Sequence, residues 1–259
     1  MVYLGVSSFG KRNVNECIVA SGGAGGRALS SGATLSVFAY IVCLVLCSCT
    51  VYAQGADDDG SDALSAALAA VPRVLSPGED LPCGELPLVR YGGSALKYQR
   101  VARVHPAFVA RLRAFEALVS EVALAYYGRP PRRLVHLGTY NCRRMRTYPT
   151  WVSEHALGNA IDLAGFDFGP LKRGEVLPDG VPVALRRPFQ VRIEAHFKRR
   201  RGVGRYHARF LHALTRALIA RPELFPVVLG PGWPGHHNHL HLDGAPYRAV
   251  EVDFPDVAD

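Results

Sequence analysis

The sequence is short of acidic residues and contains no internal repeat. Its 259 residues include 22 aspartates and glutamates against 30 lysines and arginines, which gives a formal net charge of +8. This imbalance favours anionic partners such as cell-wall polymers, membrane headgroups or nucleic acid, although a solvated arginine-rich surface explains it equally well. A hydrophobic content of 49% and a charged content of 20% exclude an intrinsically disordered chain. The length allows one large domain or two small ones.

Long apolar runs are also scarce, and the only uncharged one is TLSVFAYIVCLVLCSCT at Thr34–Thr50. Basic residues precede this run and a small-x-small pattern follows it. We therefore interpret residues 1–53 as a secretory signal peptide that is cleaved before Gln54. An uncleaved N-terminal membrane anchor and a lipid-modified Cys49 are the alternatives. Each of them predicts export to the periplasm or cell envelope, with membrane attachment in the last two cases.

Cysteine is almost absent from the rest of the chain. Four of the six cysteines lie within residues 1–53, which leaves Cys83 and Cys142. Because exported proteins fold in an oxidising environment, we predict a disulfide between these two residues. A pair of buried free thiols is the alternative.

The remaining sequence predicts one folded domain behind a linker. Residues 54–81 are rich in Asp, Gly, Ser and Ala, which is typical of a flexible linker with at most a short helix over 61–71. We place the folded domain at residues 82–259. Apolar residues recur at helical spacing over 105–127 and 206–220 and predict two core helices.

Short apolar stretches predict the strands of a sheet. These stretches are residues 133–142, 159–166, 181–185, 225–229 and 239–243. The charged run over 198–205 predicts an exposed loop. The order of helices and strands predicts an α+β fold, a single domain with a central, mainly antiparallel sheet and flanking helices.

Two motifs contain the chemistry, WVSEHALGNAIDLAGFDF over 151–168 and PGWPGHHNHLHLD over 231–243. Residues two apart on a strand point to the same side, so His239 and His241 face together. A catalytic zinc ion takes three nitrogen or carboxylate ligands and one water. We therefore predict one zinc ion per chain, bound by His155, Asp162 and His241, with His239 as the general base. Each residue alone is more often structural, and only their joint occurrence supports the prediction.

Three further residues are candidates for contacts with a substrate. Arg143 lies at the end of a predicted strand and is suited to bind a carboxylate or an oxyanion. An ordinary surface arginine is the alternative. We assign Ser153 and His236 to substrate binding, and His236 can instead orient His239 or simply be exposed.

The motifs TYNCR, SEHALGNAIDLAGF and FPVVLGPGWPGHHNHLHLD resemble the bacterial extensin-like C-terminal domain. That domain is similar to the LAS zinc peptidases, the lysostaphin, D-Ala-D-Ala carboxypeptidase and murein endopeptidase group. The resemblance covers about residues 83–243 and implies a LAS-like fold, the same three ligands and peptidoglycan as the substrate. The chain departs from the carboxypeptidase branch because it lacks a Glu just before the last ligand, which favours His239 as the base. The basic segment 186–205 also differs from the family pattern.

The sequence thus predicts an exported zinc peptidase that hydrolyses amide bonds in the peptide part of peptidoglycan. A catalytically inactive wall-binding module of the same fold and a D,D-carboxypeptidase are the alternatives. The basic run over 198–205 is the only support for a nucleic-acid partner, and we expect none.

Overall fold

The computed structural model describes residues 59–255, with side chains over 62–255, and these belong to one compact unit. The predicted signal peptide or anchor over residues 1–53 lies outside the described residues. No helix in the described part of the chain combines the length and the apolar character needed to cross a membrane.

Four α-helices occur among the described residues. They are α1 (Asp59–Ala70), α2 (Pro106–Tyr127), α3 (Ile193–His196) and α4 (Gly202–Ile219). The helix predicted over 105–127 is confirmed as α2. Its N-terminus is capped by His105, whose Nδ1 accepts a hydrogen bond from the backbone N–H of Ala107 at 3.2 Å. It ends at Gly128, which adopts the left-handed conformation typical of a helix C-terminus, with φ of 67°.

Within the described part of the chain, nine strands form two sheets. They are β1 (Val89–Tyr91), β2 (Lys97–Tyr98), β3 (Ala102–Val104), β4 (Arg133–His136), β5 (Ala160–Phe168), β6 (Phe189–Arg192), β7 (Val227–Leu229), β8 (Leu240–Asp243) and β9 (Ala249–Glu251). Strands β1 and β3 pair alone, and the other seven form the central sheet in the order β2-β4-β5-β8-β7-β9, with β6 beside β5. The β2–β4 and β7–β9 pairs are parallel and the other pairs are antiparallel. The predicted α+β class with a mainly antiparallel sheet is therefore confirmed.

Strand β5 is the axis of the central sheet. Its first half pairs with β8 and its second half pairs with β6, while β4 lies along its other edge. The register with β4 skips Ala164, so a β-bulge interrupts the strand there. The bulge changes the alternation, and Ile161, Leu163, Phe166 and Phe168 all belong to the main core. Asp162 and Asp167 consequently lie on the opposite face of the sheet.

The main core lies between the sheet and helices α2 and α4. Its largest fully buried side chains include Phe108 and Phe115 of α2 and Phe210 of α4. Helix α4 begins four residues earlier than predicted, at Gly202, so only the first half of the run over 198–205 is an exposed segment outside a helix.

Two predicted strands differ from the structure. The strand predicted over 133–142 ends at His136. Leu137 and Gly138 still bond to the backbone of Asp162, but Asn141 bonds to the carbonyl of His155 in the following turn instead of to a strand. The segment 181–185 is not a strand. Its Pro182 has no N–H to donate to a sheet and caps a 3-10 turn, Val183–Arg186. The strand in this region is β6, which the sequence analysis missed.

The predicted flexible linker is partly folded. Helix α1 occupies residues 59–70, and Leu68 and Leu75 are buried in a second, smaller core. Cys83 and Val152 belong to the same cluster. Packing against the domain therefore begins well before residue 82.

Candidate metal centre

Strands β5 and β8 bring two of the predicted ligands together. Asp162 and His241 are register partners across this antiparallel pair. Their strand neighbours Leu163, Leu240 and Leu242 are fully buried in the core. Period-two alternation therefore directs the carboxylate and the imidazole to the other face of the sheet, where they meet.

The third predicted ligand, His155, lies on a 3-10 turn, Glu154–Leu157, that directly precedes β5. Gly158 ends this turn with φ of 64°, a backbone conformation that favours glycine. A Cβ atom at this position would lie 2.7 Å from the backbone nitrogen of His105, so the chain also passes too closely for a larger residue. The glycine thus allows the turn to pack against the start of α2 and to present His155 to β5.

The three side chains each present one ligand atom to a common point. These atoms are His155 Nε2, Asp162 Oδ1 and His241 Nδ1, and all three interatomic distances are 3.1 Å. A tetrahedral zinc ion with bonds of about 2.0–2.1 Å separates its ligand atoms by about 3.3 Å. The kind of donor atoms and their spacing therefore fit a zinc site of three protein ligands.

The other nitrogen of each imidazole has its own acceptor. His155 Nδ1 donates to the backbone carbonyl of Thr139 at 3.2 Å, and His241 Nε2 donates to Asp243 Oδ2 at 2.7 Å. In the neutral rings the nitrogens that face Asp162 then carry lone pairs. Two lone pairs and a carboxylate oxygen at these distances repel one another, so with both rings neutral the centre stabilises an added positive charge.

The contact between Asp162 and His241 shifts the pKa values of both groups. Burial opposes ionisation of Asp162, but hydrogen bonds that the rings of His155 and His241 donate when they are protonated outweigh it and hold the pKa of the carboxyl far below its usual range. Burial also disfavours charge on His241, yet hydrogen bonds to Asp162 and Asp243 raise its pKa to about 10. The centre therefore stabilises positive charge, which either a proton on His241 or a divalent cation can supply.

His239 and His236 lie beside the three donors. His239 Nε2 is 3.4 Å from Asp162 Oδ1, while its Nδ1 donates to Asn238 Oδ1 at 2.7 Å. Burial is the main reason that the pKa of His239 is lowered to about 4. The His236 ring centroid is 4.8 Å from that of His239 and 5.8 Å from that of His241. His239 thus presents an unprotonated nitrogen to the centre, and His236 lies at its edge.

Arg143 and Ser153 border the centre through their backbones. The Ser153 N–H donates to the Arg143 carbonyl at 3.2 Å, and Ser153 directly precedes the turn that carries His155. The exposed guanidinium of Arg143 contacts only the carbonyl of Arg144, at 3.4 Å, among the residues described. Both residues therefore lie at the start of the turn that carries His155, and within residues 62–255 neither side chain makes a hydrogen bond to the three donor atoms.

Two residues that support the three donors, Asp243 and Arg73, were not predicted from the sequence. Asp243 is buried, binds His241 and also accepts from the N–H of Ala245 at 2.9 Å. The sequence could have predicted this role of Asp243. It lies two residues after His241 on a strand, which places both side chains on one face.

The other supporting contact is an ion pair between Arg73 and Glu154, which the sequence could not predict. The Nε of Arg73 donates to Glu154 Oε1 at 2.9 Å, and Asn159 Nδ2 donates to Glu154 Oε2 at 2.6 Å. Both members of the Arg73–Glu154 pair are buried, and Glu154 is the neighbour of His155. A separation of 81 residues between the two partners gives no pattern in the sequence.

The predicted disulfide is confirmed. Cys83 and Cys142 are bonded with a Cα–Cα distance of 5.8 Å. Cys142 lies in the loop after β4, in which Thr139 accepts from the His155 ring and the Asn141 N–H donates to the His155 carbonyl at 3.1 Å. The disulfide therefore ties this supporting loop to the N-terminal part of the domain.

Comparison with known proteins gives one family. Searches of curated proteins and of solved structures found no significant match. The sequence profile of the family described as Extensin-like protein C-terminus matches residues 63–252, well over half of the chain. The match includes helix α1 from its fifth residue, the three donors, and the residues Arg73, Glu154 and Asp243 that support them. The chain therefore belongs to the extensin-like protein C-terminus family.

Proposed function

We propose that this protein is a zinc-dependent peptidase of the cell envelope that hydrolyses amide bonds in the peptide part of peptidoglycan. The observation that carries the proposal is the triangle of His155 Nε2, Asp162 Oδ1 and His241 Nδ1, with equal sides of 3.1 Å. His155, Asp162 and His241 would hold the ion. A zinc ion bound there supplies a water of lowered pKa and polarises the scissile carbonyl.

The side chains around the donors have separate tasks in this proposal. Because His239 Nδ1 donates to Asn238, its Nε2 is free to accept a proton, which suits a general base. Arg143 binds a substrate carboxylate or the developing oxyanion after its exposed side chain turns towards the centre. Ser153 and His236, which border the donors, contact the substrate.

The choice of substrate rests on resemblance and charge. The motifs around the three donors resemble those of the LAS zinc peptidases, which act on peptidoglycan. A net charge of +8 suits an anionic wall polymer. The apolar run in residues 1–53 suits export to the periplasm or cell envelope, with or without membrane attachment. Nucleic acid is not part of the proposal.

Two other functions are compatible with the same site. A D,D-carboxypeptidase removes a terminal residue, whereas an endopeptidase cuts a cross-link, so the products separate the two. A catalytically inactive wall-binding module is favoured by one observation, namely that the Arg143 guanidinium contacts none of the donors in the described structure.

The test is digestion of purified peptidoglycan with the zinc-loaded protein, followed by identification of the released fragments by mass. We expect peptide fragments from the wild type and a loss of at least 100-fold in their release by His239→Ala. A His237→Ala variant is the matched control, because His237 lies in the same loop and has no contact with the donors among the described residues. Wall binding without release by the wild type would instead establish the binding module.

A further inference from the structure

A row of polar side chains crosses four neighbouring strands of the central sheet. The strand registers place Lys97 of β2 beside Arg133 of β4, Arg133 beside Asp167 of β5, and Asp167 beside Gln190 of β6. The residues that follow or precede them in each strand belong to the main core, namely Tyr98, Leu134, Phe166, Phe168 and Val191. The row therefore points away from the core.

The row lies on the same face of the sheet as the metal donors. Asp162 and Asp167 both leave β5 on the side opposite the core, because the bulge at Ala164 compensates for their odd separation. Five residues at a rise of about 3.3 Å place the row about 15 Å from the metal centre along the strand.

The row carries excess positive charge. Asp167 is already paired, since Arg133 lies 2.6 Å and Arg192 lies 2.5 Å from its two carboxylate oxygens. Lys97 is next to Arg133 and not next to an acid, and neighbouring strands are only about 4.8 Å apart. Within residues 62–255, neither the Lys97 ammonium nor the Arg132 guanidinium makes a hydrogen bond or ion pair. Lys97 and Arg132, which have no partner among the described residues, therefore both lie next to Arg133.

These side chains line a cleft of about 590 Å³. Its lining has three cations, Lys97, Arg132 and Arg133, against one acid, Asp167. Gln99 and Gln190 contribute two amides, whose side chains are also without a partner in the described part of the chain. Two prolines add apolar surface. The size is that of a site for a small ligand or a short stretch of polymer.

We propose that this cleft is a second binding site, which takes an acidic peptide with one carboxylate on Lys97 and another on Arg132. The two glutamine amides can pair with peptide N–H and C=O groups, which a simple inorganic anion does not offer. That the peptide is a part of peptidoglycan rests on the proposed function. Since the row of Lys97, Arg133, Asp167 and Gln190 lies on the same face as the metal donors, a single polymer then contacts the cleft and the metal centre together.

The test is binding of a fluorescein-labelled peptide, Ala-Glu-Glu-Ala, to the full chain by fluorescence polarisation, first with EDTA and then with zinc. Lys97→Gln/Arg132→Gln should weaken binding about tenfold or more, because the double variant loses both charge-assisted hydrogen bonds to the peptide carboxylates. Arg200→Gln/Arg201→Gln changes the net charge equally on an exposed segment and should leave binding within about twofold. A melting curve checks that both variants are folded.

Several results would overturn the second site. One is the absence of binding by the wild type, and another is equal weakening in the two double variants, which would indicate unspecific charge attraction. Competition by inorganic phosphate as strong as that by the unlabelled peptide would show a simple anion site. Because the peptide is expected to bind with EDTA as well as with zinc, failure of the metal proposal leaves this result unchanged, and the two proposals fail independently.

Discussion

At the scale of single residues, the proposed metal centre depends on groups other than the three donors. His155 and His241 each donate their outer N–H to an oxygen, and this leaves their inner nitrogens available to bind a metal. For His241 the acceptor is the carboxylate of Asp243, which is 2% exposed and therefore holds a strong, poorly screened hydrogen bond. Such a partner orients the ring and makes it a better donor to a metal.

We predict that Asp243→Asn lowers zinc affinity about 10–100-fold, because the neutral amide neither fixes nor polarises His241. Competition with a fluorescent chelator measures this affinity. Asp253→Asn is the control, since Asp253 is an exposed acid whose side chain, among the described residues, pairs only with Lys198, at 3.4 Å. Equal zinc affinity in the two variants would show that Asp243 does not support the centre.

At the scale of elements, a buried ion pair holds the turn that carries His155. Arg73 follows α1 and donates both to Glu154 and to the carbonyls of Leu68 and Val71. Burial raises the pKa of Glu154, an effect that Arg73 opposes. The N-terminal segment that the sequence suggested was flexible is thus part of the scaffold of the site.

We expect Arg73→Met to lower the free energy of unfolding by about 3–5 kcal/mol, because it leaves the Glu154 carboxylate buried without its partner. Glu154→Gln in the same chain should recover a large part of this loss, since the remaining amide carries no charge. Urea unfolding of the wild type, the single variant and the double variant measures the coupling. A double variant no more stable than Arg73→Met would contradict the account.

The contact between α2 and α4 predicts a pH effect. Tyr127 of α2 and His207 of α4 are buried and hydrogen-bonded at 2.9 Å between the Tyr127 hydroxyl and His207 Nδ1. Burial, with a smaller contribution from His196, lowers the pKa of His207 from 6.5 to about 4. Between these pH values the unfolded chain binds a proton that the folded chain does not, so stability falls as the pH decreases.

The measurement is urea unfolding from pH 7 to pH 4.5, in the wild type and in His207→Phe. Other buried histidines contribute to the fall in both proteins, so the difference between the two isolates His207. The wild type should lose up to about 3 kcal/mol more than the variant over this range. Parallel curves for the two proteins would contradict the proposed cause.

The sequence predicted those elements that the spacing of apolar residues within one segment is enough to define. Helix α2, strand β5 and the α+β class follow from apolar spacing and from residues such as Pro106 and Gly128. The cysteine count predicted the disulfide. Strand β6 was missed because its four residues are too few to show a period and it forms by pairing with the second half of β5. The residues 139–142 read as a strand, but they bind the His155 turn through contacts that only the fold creates.

At the scale of the whole molecule, the central sheet has the main core on one face and the candidate metal centre on the other. One face packs on α2 and α4. The other carries Asp162 and His241, which His155 of the preceding turn contacts, and, further along β5, the basic row of Lys97, Arg133, Asp167 and Gln190. The second core, which includes Leu68, Leu75 and Cys83, supports the loops that bring His155 to β5. The match to the extensin-like family spans this entire arrangement.

The central claim is that His155, Asp162 and His241 hold one metal ion. Its most direct test is elemental analysis of the purified protein, beside His155→Ala/Asp162→Ala, after exposure to zinc and removal of unbound metal. We predict about one zinc per chain in the wild type and almost none in the variant, because one remaining ligand cannot retain the ion. A wild type without metal, or a variant with as much zinc as the wild type, would contradict the assignment of the metal centre.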